Sequence, residues 1–359
     1  SRIYCYGETE KNPKHHALAT EPLTQSGNEV IARIAAILEH LETKKGHVFV
    51  LGVDPTFLDA LLKSTELRVV AVDSDPAKVD SLRRRYQAAG LYGHRISIHR
   101  RDNPADFPAP PHFANLVIVD GKTAATLKPE GLPPIYQAVR PYGGILCLFH
   151  KDADLEKESK ALPQARLLPA DSGNLCVKKV GALPGSADWT HQYADAGQSV
   201  VSKDSRVKAP LGLLWFGGPT NEKILPRHGH GPSPQVAGGR LFIEGADVIR
   251  AVDVYTGRLL WERELKGVGE YYNVTLHFPG AGETGSNYVS MPEAVYVIYG
   301  KPIMLNRRNL AVPTTILELD ASNGQTKKEF RLPGESSFGW LSVWDKYLVA
   351  TVAPISVKV

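Results

Sequence analysis

The sequence predicts two fold classes in one chain: an α/β domain with a doubly wound sheet, and an all-β region of repeated blades. Three observations carry this. Between residues 25 and 181, short apolar runs alternate with helical stretches. After about Gly185 helical stripes vanish, and short aromatic strands alternate with Gly- and Asn-rich turns. Two of those strands, residues 239–245 (GRLFIEG) and 294–300 (AVYVIYG), repeat one frame of alternating apolar residues closed by Gly.

In the first region, Ser26-x-x-Glu29 has the spacing of a capping box, in which each side chain satisfies a free backbone N–H at a helix start. Val30, Ile31, Ile34, Ile37, Leu38 and Leu41 then fall on one helical stripe, which stops near Gly46. A strand over 48–51, a helix from Pro55 and a strand over 68–72 ending at Asp73 follow. Next come a helix from Pro76 to about Ala89, and strands over 96–99, 116–119 and 144–149. A polar helix over 152–162 precedes two closing strands, 166–168 and 175–180. Strands separated by helices imply parallel pairing, and two final strands with no helix between them imply an antiparallel edge.

In the second region, the strand over 239–245 leads into Ala251-x-Asp253-x-x-Thr256-Gly257-x-x-x-Trp261. A weaker copy, Asp320-x-x-x-Gly324, has Lys328 where the first has Trp. Asp and Thr satisfy backbone groups of a tight turn, Gly takes a left-handed conformation, and the Trp packs on the next blade. This is β-propeller patterning. Residues 1–7 (SRIYCYG) fit the frame of 239–245, so the α/β domain is expected to be inserted in the propeller. The resulting division is 1–7 as a propeller strand, 8–24 as a linker, 25–181 as a Rossmann-like domain, and 185–359 as an incomplete set of blades. Residues 185–359 amount to about four blades of ~40–45 residues, less a long loop from Val268 to Pro292. The chain starts at Ser1 and its last strands run almost to the end, so a fragment, or a protein with its remaining blades elsewhere, is expected.

Bulk properties exclude several classes. A net charge of +4 gives no reason to invoke nucleic acid, and the basic spots Arg83-Arg84-Arg85 and 95–101 read as a solvated helix face and a strand end. No apolar run approaches the ~18 residues that span a membrane. Cys5, Cys147 and Cys176 have no C-x-x-C spacing, which excludes metal-ribbon, redox-pair and haem readings and leaves buried free thiols.

The α/β region carries a nucleotide-site layout with its glycines replaced. An apolar run ends at Gly52, a helix starts near Pro55, and Asp73 lies 21 residues after Gly52, but the turn reads Gly52-Val53-Asp54-Pro55-Thr56. Residues 25–181 resemble a class I S-adenosylmethionine-dependent methyltransferase. The blades, through Asp253, Thr256, Gly257 and Trp261, resemble quinoprotein-dehydrogenase-like (PQQ-repeat) propellers. The combination is similar to large planctomycete-type proteins in which a methyltransferase-like domain interrupts such a propeller; the stretches AAGLYG (88–93), PLGLLWFGG (210–218) and RHGHGPSPQVAGGRLFIEG (227–245) carry that likeness.

The resemblance implies a cofactor site. Gly52 keeps the first glycine of the turn, while Asp54 and Thr56 stand where others would be. A side chain at a close-approach position takes up room, and Asp54 adds negative charge near the cofactor's carboxylate. Asp73 is the acidic residue expected to accept both ribose hydroxyls, Asp102 is placed to hold the adenine amino group, and Asp120, with Lys122 beside it, faces the same cleft. Asp73 in the run DSDP also fits a plain strand-end turn residue. No acceptor motif follows the fourth strand, so the catalytic residues are unassigned. Pyrroloquinoline quinone is not expected, because its chemistry usually needs calcium ligands and often adjacent cysteines. His228 and His230, at i and i+2, are metal candidates, with His191 and His277 as possible third ligands; a polar loop is the plainer reading.

Two function classes follow, with a third behind them. The first is a non-catalytic or weakly catalytic scaffold, a pseudoenzyme that binds a protein partner or the rest of its propeller. The second is an active methyltransferase whose propeller recruits the substrate, and the third is a quinoprotein oxidoreductase. The propeller resemblance implies an extracytoplasmic (periplasmic) location, whereas S-adenosylmethionine chemistry implies the cytoplasm.

Overall fold

The computed structural model describes residues 20–52, 54–169, 173–218, 224, 233–245, 247–266, 268, 288–305, 308–333 and 336–354. Residues 1–7, Val53, His228, His230 and His277 therefore lie outside the described residues.

The α/β half folds as the sequence pattern requires. The chain runs through α1 (Asn28–Glu39), β1 (Lys45–Leu51), α2 (Pro55–Ser64), β2 (Glu66–Asp73), α3 (Pro76–Ala88) and β3 (Ile96–Arg100). It continues through β4 (Leu116–Val119), α4 (Gly121–Thr126), α5 (Leu132–Gln137), β5 (Ile145–Leu148), α6 (Ala153–Ala161), β6 (Ala165–Leu167) and β7 (Leu175–Lys179). The seven strands form one sheet in the order β3-β2-β1-β4-β5-β7-β6. The first five pair in parallel, and β7 runs antiparallel to both β5 and β6. This is a doubly wound, Rossmann-like sheet with the antiparallel edge that the helix-free ending implies.

Alternation along β1 sorts the two faces. Val48 and Val50 enter one core with Ile34, Leu58, Leu61 and Tyr86 of α1, α2 and α3. Phe49 and Leu51 enter the other with Leu132, Ile135 and Leu155 of α5 and α6. The first core is further tied by Asp59, which is buried in α2. Its carboxylate accepts from Tyr86 Oη at 2.9 Å and Thr24 N at 3.1 Å, and it pairs with Arg85.

Three local expectations need correction. The capping box does not form: Gly27 is the N-cap of α1 with no side-chain bond, and Ser26 Oγ instead donates to Thr56 O at 2.7 Å. Ile31 is off the buried stripe and faces outward, because the α1 stripe that packs runs through Ile34, Ile37 and Leu38. Cys147 and Cys176 are not free thiols. They oppose each other across β5 and β7 and form a disulfide, with Cα atoms 4.3 Å apart.

Beyond residue 185 the described elements are all β. One sheet is β8 (Gln235–Ala237), β9 (Arg240–Gly245), β10 (Val248–Asp253) and β11 (Leu259–Glu264). A second is β12 (Tyr288–Ser290), β13 (Ala294–Leu305), β14 (Arg308–Asp320) and β15 (Thr326–Arg331). A third holds β16 (Ser336–Trp344) and β17 (Tyr347–Pro354). The first two are antiparallel meanders that pack on one core containing Phe242, Trp261, Tyr288 and Leu319, and the third is a single antiparallel pair. The three sheets make no closed ring among the described residues.

The repeated turns behave as their residues dictate. Asp253 Oδ1 accepts from Tyr255 N and Asp320 Oδ1 from Ser322 N, while Gly257 N and Gly324 N each donate to the Asp carbonyl at 2.8 Å. Both glycines have positive φ, +66° and +74°. A tryptophan lies against each: Trp215 on Gly257, and Trp261 on Gly324.

The two halves meet through a buried ion pair. Arg140, just after α5, places a guanidinium nitrogen 2.9 Å from Asp253 Oδ2, with side chains 9% and 1% exposed. Around it the ring of Tyr142 lies against Gly239, and His112 meets Tyr255 edge-on with ring centroids 6.2 Å apart. The turn Asp of the first antiparallel sheet is thus paired directly with the α/β domain.

Candidate functional site

The carboxyl ends of β1, β2, β3 and β4 surround a cleft of roughly 500 Å³, where open α/β sheets place their ligands. Gly52, Asp73, Asp102 and Asp120 all line it, as do Lys78 and Lys122. Four of the five expected cofactor residues are therefore brought together; Asp54 is not among the lining residues.

Asp54 is spent on the helix. It is the N-cap of α2, accepting from Thr56 N at 2.8 Å, Phe57 N at 3.3 Å and Thr56 Oγ1 at 2.7 Å. Burial alone would raise its pKa, but the bonds from Thr56 and Phe57 outweigh this and hold it below the usual carboxylate range. The residue that sequence reading places against the cofactor's carboxylate is instead explained by the helix start that Pro55 fixes.

Asp73 does face the cleft, but in company. Its Oδ2 lies 2.7 Å from Lys78 Nζ, and its Oδ1 accepts from Asp75 N at 3.0 Å. Asp75 in turn caps α3 through Ala77 N and Lys78 N. Asp73 thus combines the turn role of the run DSDP with a cleft-facing carboxylate already paired to a cation. Lys78 and Asp75 N each take one acceptor site on that carboxylate, so a ribose would have to share it with them.

Gly52 has φ +80° and donates its N–H to Val72 O at 2.8 Å. The space over its Cα is filled: a Cβ there would collide with the carboxylate of Asp120 and with Thr123 Oγ1. Asp120 is the N-cap of α4 and accepts from Thr123 N at 2.7 Å, so the cap holds its carboxylate over the glycine. The direction a side chain would take from Gly52 is filled by the protein's own Asp120 and Thr123, while the glycine still lines the cleft. Asp102 stands at the outer rim, 95% exposed, and pairs with Arg100 at 3.1 Å.

Lys78 and Thr123 were not legible as site residues. For Lys78 a signal existed: a lysine in the first turn of a helix opposes the helix dipole and calls for a nearby carboxylate. Beside this cleft, a second space of about 510 Å³ shares Asn103, Thr123 and Thr126 with it and adds the apolar Phe107, Leu127 and Pro134.

The metal expectation fares differently. Among the described residues no group of three or more His, Cys, Asp or Glu could hold a metal ion. His191 is buried, and both ring nitrogens are occupied: Nε2 accepts from Val343 N at 3.1 Å, and Thr190 Oγ1 lies 2.7 Å from Nδ1. It ties its own segment to β16 and has no nitrogen left for a metal. No helix among the described residues is long and apolar enough to cross a membrane.

No protein-family profile and no curated protein matches the chain. Solved structures resemble it in fold over less than half its length. One is a putative S-adenosylmethionine-dependent methyltransferase from Methanococcus maripaludis, 14% identical, covering 43% of this chain and 85% of that one at a TM-score of 0.34. A methyltransferase from Geobacter sulfurreducens is 15% identical, covering 44% and 92% at 0.32. A geranyl diphosphate methyltransferase in complex with S-adenosylmethionine is 9% identical, covering 42% and 85% at 0.35. Identity and scores at this level say nothing about chemistry; the Rossmann-like fold of the α/β half rests on its own strand order and register.

Proposed function

We propose that the protein is a binding scaffold in which a methyltransferase-like domain, inserted in a PQQ-like propeller and locked to its blades, keeps the shape of a cofactor site without its use. One observation carries the reading: the carboxylate of Asp120 and Thr123 Oγ1 fill the space directly over Gly52, and on this reading that is where a cofactor's methionine portion would lie. The Lys78–Asp73 pair supports it from the ribose side. The buried Arg140–Asp253 pair supports a rigid insert that presents surfaces in a fixed relation to the blades. The occupants of those surfaces are a protein partner or further propeller segments.

The Cys147–Cys176 disulfide supports an oxidising, extracytoplasmic setting, where S-adenosylmethionine is not made. A thermal-shift series with S-adenosylmethionine and S-adenosylhomocysteine up to millimolar concentration tests the reading, which expects no shift. Stabilisation that saturates at micromolar ligand would sink it.

A second reading, an active methyltransferase, has one observation in its favour. Asp54 is turned into the α2 cap and away from the cleft, so its charge does not oppose a bound carboxylate. On that reading Gly52, Asp73, Asp102 and Asp120 hold the cofactor after Lys78 and Asp120 rearrange. Nothing in the site favours a quinoprotein reading.

A further inference from the structure

The blade turns repeat one contact at two places, and only one of them has a sheet behind it. At the second turn, a Cβ on Gly324 would lie 2.6 Å from the Trp261 ring, whose Nε1 donates to Ala321 O at 2.9 Å. At the first, the same three ring atoms of Trp215 lie over Gly257, and its Nε1 donates to Val254 O at 2.9 Å. In both, the acceptor follows the turn Asp by one residue and the glycine by four. The sequences around the two rings also agree: Leu213-Leu214-Trp215 and Leu259-Leu260-Trp261.

Trp261 sits on β11, the outermost strand of its sheet, which is hydrogen-bonded along one edge to β10, with Val252 opposite Leu259 and Ala251 opposite Trp261. Residues 211–217 stand to the first blade as β11 stands to the second, yet no strand pairs with them among the described residues. Their apolar side chains are bare: Leu211, Leu213, Leu214 and Phe216 are 77, 80, 63 and 95% exposed. Four large apolar residues exposed in sequence beside a docked tryptophan mark a surface that another element covers.

We propose that residues 211–217 are the outer strand of a further blade, and that residues 1–7 of the same chain (SRIYCYG) complete it as an antiparallel strand in the position that β10 holds. This rests on the insertion proposed above, since the α/β domain then joins the two strands. The match lies in the residue types. In β10, Ile249-x-Ala251-x-Asp253 puts Ile and a small residue on the core face and the turn residue at the end. Ile3-x-Cys5-x-Gly7 offers the same series, with the small Cys5 at the place opposite the tryptophan. This frame is offset by one residue from the resemblance of 1–7 to 239–245. The offset follows from topology: β11 pairs with β10 and not with β9, and a one-residue shift exchanges the two faces of a strand. Main-chain bonds would supply attachment, and alternate side chains the register.

Cross-strand thiols test this in the full chain. In a Cys5→Ser background, Tyr6→Cys with Leu213→Cys reproduces the opposed positions of Val252 and Leu259. The comparison protein keeps native Cys5 with Leu213→Cys, a pair slipped by one residue. Under mild oxidation the opposed pair should link within one molecule at least about tenfold faster than the slipped pair, as read by peptide mass mapping. Equal rates, no link in proteins whose circular dichroism matches the parent, or links only between molecules would overturn the proposal. Ligand titration of the linked protein reports on the α/β cleft separately, so either reading can fail while the other stands.

Discussion

Arg140 gives the most exacting test of how the two halves are joined. Its guanidinium lies 2.9 Å from the carboxylate of Asp253, whose side chain is 1% exposed. Replacing it as Arg140→Met keeps most of the packing and leaves a buried carboxylate without its counter-ion. Breaking a buried pair from one side costs about 3–5 kcal/mol. The lower end applies here, because Asp253 still accepts from Tyr255 N at 2.9 Å and Arg258 is near enough to interact electrostatically. With a urea slope of about 2–3 kcal/mol/M, a loss near 3 kcal/mol moves the midpoint by about 1 M.

The assay can follow each half. The tryptophans at 189, 215, 261, 340 and 344 all lie beyond residue 185, so fluorescence reports on the all-β half, while far-ultraviolet dichroism follows the helices of the α/β domain. Arg140→Met should shift both transitions and separate them. Adding Asp253→Asn should recover more than half of the loss, since neither charge is then stranded. A midpoint within about 0.2 M of the parent, or an additive double variant, would refute the claim that this pair locks the domains.

Other consequences follow from the same structure. Burial holds His47 and His112 at about 4, below the usual 6.5 of histidine, with Arg68 and Arg258 adding to the effect on the first and Lys179 and Arg206 on the second. Groups depressed on folding contribute stability in full above pH 6.5 and lose it as pH falls through 4; urea midpoints should therefore decline over that window, and a His47→Gln/His112→Gln variant should show a shallower decline. Gly324→Ala should cost about 2–4 kcal/mol, because its φ is +74° and the new Cβ would sit 2.6 Å from Trp261; a denaturation midpoint unchanged from the parent would contradict the docked-ring account. Reduction should remove about 3–4 kcal/mol, the entropy of closing the loop between Cys147 and Cys176, whose sequence separation is 29; intact mass should rise by the two hydrogens of one bridge, and no mass change would show that the thiols are free in solution.

Most of the α/β fold could be read from the sequence, because hydrophobic period and turn residues agree there. Pro55 and Pro76 mark helix starts that Asp54 and Asp75 cap, and the alternation in β1 sorts both cores. The same agreement makes Asp54 ambiguous. A residue that caps a helix and one that blocks a cofactor occupy the same position in the chain, and only side-chain direction separates them. The capping box failed for a related reason: Ser26 found a tertiary acceptor in Thr56 O, which spacing alone does not reveal.

Pairings between distant segments were the least legible. Cys147 with Cys176, Arg140 with Asp253, and Lys78 with Asp73 each depend on register or rotamer. In the all-β sheets, the turn motif announced the Asp and Gly geometry, but the role of Trp215 did not appear until its contact could be set beside that of Trp261.

The central claim, that the cleft keeps its form without its ligand, is tested most directly by isothermal titration with S-adenosylmethionine and S-adenosylhomocysteine, alongside Asp73→Ala. The account predicts no heat of binding at millimolar ligand for either protein, because Asp120 and Thr123 stand over Gly52 and Lys78 holds Asp73. Micromolar binding by the parent that Asp73→Ala abolishes would contradict it, and would make the cleft a working cofactor site.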